Sequence, residues 1–168
     1  MADILDMPEG RPVTPPILLG VATQLDDTLA AASLNATERR VVERLVAHLR
    51  SELGDDLLAI WLYGSRARGE ADPTETDPDR RSDVDLIAIL APGRNATDVA
   101  WEVQPQLEAI ADAEGDSPVY YSLRFYDADF LRERRAIRDF FFQEVDRDRL
   151  ILHGDALPGY AGAVEGET

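Results

Sequence analysis

Two aspartates spaced two apart, Asp83 and Asp85, stand at the entrance to an apolar run that extends from Val84 to Leu90. Residues two apart on a strand point to the same face, so the two carboxylates stand side by side. Like charges held that close repel, and a shared divalent cation relieves the repulsion. Earlier in the chain a second apolar run, Leu57 to Tyr63, ends on Gly64-Ser65, and Ser65 opens a short turn or helix carrying Arg66 and Arg68. The backbone N–H groups of such a turn can receive phosphate oxygens. Phosphates and a divalent cation in one pocket point to phosphoryl or nucleotidyl transfer.

The elements that must hold these residues are readable from the pattern of apolar positions. Leu57–Tyr63 and Val84–Leu90 read as buried strands, and Val119–Tyr126 as a third strand rich in aromatic and bulky residues. Asn35-Ala36-Thr37-Glu38 has capping-box spacing and opens a helix whose stripe is Val41, Val42, Leu45, Val46 and Leu49, with Gly54 as its stop. His48 flanks that stripe, far from the carboxylate pair, and reads as structural. Asn95 caps a helix from Ala96 to about Asp112, which Pro105 should bend or divide. Asp127 caps a further helix, another spans about Ala136 to Val145, and Leu150–Leu152 forms a short last strand. Residues 1–34 read as a proline-rich extended arm with a short helix at 22–33, residues 35–153 as the domain, and 154–168 as a frayed acidic tail. The stretch between Gly69 and Ser82 has prolines, many acids and no apolar run, which makes it a loop, either a mobile rim over the site or an inert solvated insertion. This alternation of helices and strands predicts an α+β (α/β-like) domain with a mixed central sheet and helices packed mainly on one side.

Composition narrows the partners. At 168 residues the chain reads as one domain, with 45% hydrophobic and 30% charged residues. A formal net charge of -16 disfavours polynucleotides and acidic membranes and favours a small nucleotide, a protein or a cationic ligand. The chain has no cysteine, so disulfides, thiolate nucleophiles and zinc–sulfur sites are excluded, in keeping with the cytoplasm. No apolar stretch reaches the roughly 20 residues that span a bilayer.

Gly64-Ser65-Arg66-Ala67-Arg68-Gly69 followed by Ser82-Asp83-Val84-Asp85-Leu86 resembles the signature of the DNA polymerase beta-like nucleotidyltransferase superfamily, and in particular its small members, the minimal nucleotidyltransferases. The resemblance covers residues 36–90 well and 95–153 loosely. It implies that Gly64 and Ser65 hold the β- and γ-phosphates of ATP or another nucleoside triphosphate, with Arg66 and Arg68 at the rim. Asp83 and Asp85 would be the catalytic carboxylates and ligate Mg²⁺, two ions in an active member, for in-line attack on the α-phosphorus and release of pyrophosphate.

The resemblance also implies a third carboxylate from a later neighbouring strand. The matching strand, PVYYSLRFYD, has Tyr120, Tyr121, Ser122 and Arg124 at its middle positions, leaving Asp116 before it and Asp127 after it as the candidates, with the acids of the 70–81 loop as a further source. Tyrosine, with a pKa near 10, is a poor replacement. Small members of the family often pair with a HEPN-domain ribonuclease as antitoxins, by adenylylating it or by binding it, and an acidic protein suits a basic partner. Three readings follow: nucleotidyl transfer to a protein hydroxyl, a catalytically weak or inactive antitoxin-like binding protein, and transfer to a small molecule such as an aminoglycoside.

Overall fold

The computed structural model describes the backbone over residues 16–154 and the side chains over 24–154; the expectations for the arm before residue 16 and for the tail lie outside the described residues. Two helices come first, α1 (Pro16–Ala31) and α2 (Ala36–Leu53). Strand β1 (Leu57–Tyr63) leads into the single turn α3 (Ser65–Arg68), and β2 (Val84–Leu90) into α4 (Ala96–Ala113). The chain continues through β3 (Tyr121–Asp127), α5 (Ala128–Ala136), α6 (Phe140–Asp148) and β4 (Leu150–Gly154). Short 3₁₀ turns at Gly54–Asp56 and Pro118–Tyr120 precede β1 and β3.

The sheet is mixed, in the order β3-β2-β1-β4. Strand β1 runs antiparallel to both β2 and β4, and β2 runs parallel to β3, so α4 serves as the crossover that a parallel pair requires. The side chains divide between two cores. Ile60, Leu62, Leu86, Ala88 and Leu90 pack with the stripes of α2 and α4, including Val41, Leu45, Leu49, Val103 and Leu107, and with Leu29 of α1. On the opposite face Trp61, Ile87 and Ile89 meet Leu131 of α5 and Phe142 and Val145 of α6. The three longest helices thus cover one side and two nine-residue helices the other. Burial on both faces explains why β1 and β2 read as near-continuous apolar runs.

Four local details differ from expectation. Residues 16–21 are helical, where an extended arm was expected; the helix begins at Pro16, since proline is well tolerated in a first turn. Helix α4 runs undivided through Pro105, which lies on its exposed face while Val103 and Leu107 stay buried. Residues 118–120 form a 3₁₀ turn, and β3 begins only at Tyr121. Of the two helices expected after Asp127, the second, expected over 136–145, instead spans Phe140–Asp148: the chain turns at Ile137–Asp139, where Arg138 takes a left-handed φ of 58° and Asp139 caps α6 through Phe141 and Phe142. His48 is structural as expected, hydrogen-bonded to Gln106 of α4.

A buried charge network ties these elements together. Glu38, fully buried, completes the capping box of α2, its Oε1 accepting from the Asn35 N–H at 2.9 Å while Asn35 Oδ1 accepts from Glu38 N–H at 2.8 Å. The same carboxylate accepts from Arg66 Nη1 at 2.6 Å and Nη2 at 2.8 Å, and from Arg81 Nη2 at 2.9 Å. Arg66 directs its remaining hydrogens to the Ser33 carbonyl at 2.9 Å, the Ser82 carbonyl at 2.9 Å and Ser82 Oγ at 3.1 Å. All five N–H donors of the guanidinium are therefore used, as a buried cation requires. Arg81 grips Asp116 through both oxygens, at 2.9 and 2.6 Å, and lies 3.9 Å over the Tyr120 ring.

Removing one partner of a buried pair strands the other charge in a low dielectric. Glu38→Ala or Arg66→Ala should each lower the free energy of unfolding by about 3–5 kcal/mol. Urea unfolding followed by circular dichroism measures this, and a loss below about 1 kcal/mol, the worth of an exposed pair, would contradict the account.

Candidate functional site

The two aspartates and the Gly-Ser turn meet at one end of the sheet. Tyr63, the last residue of β1, pairs with Asp85, the second of β2. The chain then turns at Gly64 with a left-handed φ of 78°, which brings its α-carbon against the Asp85 carboxylate. A β-carbon at Gly64 would lie 2.9 Å from Asp85 Oδ2. Only glycine accepts both this φ and this approach. The Gly64 carbonyl accepts from the N–H groups of Ala67 and Arg68, closing α3, and Gly69 ends it in the left-handed region.

Alternation along β2 places Val84 and Leu86 in the core beneath α2 and α4 and sends Asp85 to the opposite face, with Ile87 and Ile89. Asp83 is exposed and Asp85 half-buried. Burial, then the charge of Asp83, holds the Asp85 carboxyl above the usual carboxylate range, with Arg124 and Arg66 pulling the other way. Burial and the Asp85 charge likewise push the Tyr63 hydroxyl up to about 12, so it stays protonated at neutral pH. Phe141 of α6 meets the Tyr63 ring edge-on at 5.7 Å. A cleft of about 110 Å³ opens beside Gly64, lined by Tyr63, Arg68, Phe141, Glu144, Val145 and Asp148.

Of the residues singled out in the sequence, Gly64, Ser65, Asp83 and Asp85 come together. Arg66 does not join them: it is buried beneath the turn with every donor occupied, so the expectation of a rim arginine binding phosphate is corrected for this residue. Arg68 does reach the rim, donating to Glu70 at 2.9 Å and Asp148 at 3.4 Å.

Neither candidate for a third carboxylate reaches the pair. Asp116 is bound by Arg81, by the Tyr121 hydroxyl at 2.7 Å and by the Ser117 N–H, and these donors hold its carboxyl below the usual range. Asp127 pairs with Leu90, whereas Ser122 pairs with Asp85; five residues along β3 is roughly 16 Å. There Asp127 caps α5 through the Phe130 N–H. In the loop, Glu70 turns to Arg68, Asp72 to Thr74, and Glu75 and Asp77 to Arg80. Among the described residues no three His, Cys, Asp or Glu side chains cluster as a metal site.

The donor set fits one hard divalent cation. Magnesium is typically held by one or two carboxylates together with substrate phosphates, and Asp83, Asp85 and the cleft beside Gly64 supply that combination. No third acid clusters with Asp83 and Asp85 among the described residues, although Glu144 and Asp148 line the cleft beside Gly64.

No family model and no curated protein matches this chain. Solved structures similar to it include a protein of Sulfolobus solfataricus described as a candidate nucleotidyltransferase, at 14% identity over 82% of this chain and 90% of that one, with a TM-score of 0.35. Two variant structures of the toxin–antitoxin pair MntA-HpeT are also similar, at 18% and 17% identity. They cover 68% and 73% of this chain and 72% and 82% of theirs, with TM-scores of 0.41 and 0.42.

Two outcomes follow from this geometry. Because the Asp85 carboxyl is raised in the folded chain, the stability it contributes is present below the ordinary carboxylate pKa and is lost as pH rises through the raised one. Asp85→Asn removes this loss, so its melting temperature at pH 7 should exceed that of the parent, with a smaller decline between pH 4 and 7; a lower melting temperature would contradict it. Gly64→Ala, forced into a left-handed φ against a carboxylate, should cost about 1–3 kcal/mol in urea unfolding.

Proposed function

We propose that the chain is a nucleotidyltransferase of the polymerase beta-like superfamily, which takes magnesium-bound ATP at Gly64, Ser65, Asp83 and Asp85 and moves AMP to a hydroxyl on a protein partner. The observation that carries this reading is the contact between a side-chain-free turn, Gly64, and the inner carboxylate of an aspartate pair, Asp85. A phosphate chain and a cation-binding carboxylate must approach this closely for one ion to touch both. Bound magnesium would neutralise the carboxylate pair and polarise the phosphates.

The chain's own residues supply the framework. Gly64 lets the turn pack against the Asp85 carboxylate, and the backbone of the Gly64-Ser65 turn offers its N–H groups to the phosphate oxygens. Asp83 and Asp85 hold the cation, and Arg68 stands at the rim. The acceptor hydroxyl forms a bond to the α-phosphorus as the bond to the departing pyrophosphate breaks, and the hydroxyl proton passes to water. The net charge of -16 favours a basic protein surface as acceptor, such as the HEPN-type ribonuclease that the family resemblance implies.

A second reading, a nucleotide-binding or antitoxin-like protein with little turnover, is favoured by the engagement of Asp116 and Asp127 elsewhere. Incubation with labelled ATP, Mg²⁺ and the product of the adjacent gene separates the two, with an aminoglycoside panel as a parallel arm. Label should enter the protein partner, and Asp83→Ala should reduce incorporation by about a hundredfold or more, as expected for loss of a metal ligand. Absence of label together with calorimetric binding of Mg-ATP would favour the second reading, and label in the aminoglycosides alone would reassign the acceptor.

A further inference from the structure

The face of the sheet that carries Asp85 also carries a cation. Strand β3 pairs in parallel with β2, placing Ser122 opposite Asp85 and Arg124 opposite Ile87. Alternation turns Tyr121, Leu123 and Phe125 towards the core beneath α2 and α4, which leaves Ser122 and Arg124 on the Asp85 side. Arg124 is exposed, and its guanidinium lies 5.7 Å from the centre of the Phe141 ring. It acts electrostatically on both Asp85 and Tyr63. The aromatic contact steadies the guanidinium on the face that carries Asp85.

The charges on this face decide what it can hold. One divalent cation on Asp83 and Asp85 already turns the trio with Arg124 positive. A second ion on the β3 side would stand against a guanidinium, with no third acid clustered there among the described residues. We propose that the site takes a single divalent cation and that Arg124 is its second, fixed positive charge, donating to a nonbridging oxygen of the nucleotide phosphates. A guanidinium suits this role because its planar donors match phosphate oxygens. This inference rests on the nucleotide reading above.

The test counts ions and weighs the nucleotide separately, using α,β-methylene-ATP, which cannot transfer its nucleotide. Manganese titration followed by electron paramagnetic resonance should find one Mn²⁺ per chain in the presence of the analogue. Arg124→Gln should weaken the analogue by about tenfold or more, the range for a lost charge-assisted hydrogen bond. Arg124→Lys should lose less, and neither should weaken Mn²⁺ binding measured without nucleotide. Arg124→Asp should admit a second Mn²⁺. Two ions in the parent chain, or an Arg124→Gln variant that binds the analogue as the parent does, would overturn the role of Arg124 alone. Failure of the parent to bind the analogue with either metal would overturn the nucleotide reading and this inference together.

Discussion

The pair formed by Glu38 and Arg66 is the constraint on which the rest of the site depends. Both side chains are buried, so each must find all its hydrogen-bond partners within the protein. Glu38 does so by joining the start of α2 to the turn after β1, and Arg66 by reaching back to Ser33 and forward to Ser82. These bonds connect the segment before α2, the Gly64-Ser65 turn and the residue immediately before Asp83. A buried pair of this kind contributes little net stability against an apolar substitute, but it tolerates no other geometry. Its effect is to fix position.

The sheet keeps two kinds of charge apart. Beneath α2, Glu38 and Asp116 are matched by Arg66 and Arg81, so that network is electrically balanced. On the opposite face Asp85 is half-buried, and burial, then the charge of Asp83, holds its carboxyl above the usual range despite Arg124 and Arg66. A structural network satisfies itself, whereas a binding site leaves something for its ligand to satisfy. The two are separated by the side-chain alternation of β2, in which Val84 faces one way and Asp85 the other.

Much of this was legible in the sequence. The limits of β1 and β2 and the capping box at Asn35 follow from local patterns, apolar runs and a cap spacing, and the meeting of Gly64 with Asp85 from taking the two strands as neighbours. What local patterns do not encode is pairing across long separations. Nothing near Asp116 announces Arg81, and nothing near Arg66 announces Glu38, so Asp116 read as a candidate ligand and Arg66 as a rim residue. Glu38 did carry a signal, since it falls on the same helical stripe as Val42, Leu45 and Leu49, where an acid is out of place unless it has a buried partner. Arg124 carried one too, through the alternation of β3, once the parallel register with β2 is known. The continuity of α4 through Pro105 is a case of tertiary packing overriding a local breaker.

Anchoring at both ends of the 70–81 loop has an evolutionary consequence. Ser82 is held by Arg66 and Arg81 by Glu38 and Asp116, while on the near side Gly69 closes α3 onto Ser65, and Asn35 donates to the Pro73 carbonyl at 3.2 Å. The carboxylates are therefore positioned by the ends of the loop and by what those ends bind. Length and sequence between those anchors can drift without displacing Asp83 or Asp85, because loop closure entropy changes only slowly with length. The chain thus holds, beside its aspartate pair, a segment that can diversify at little structural risk.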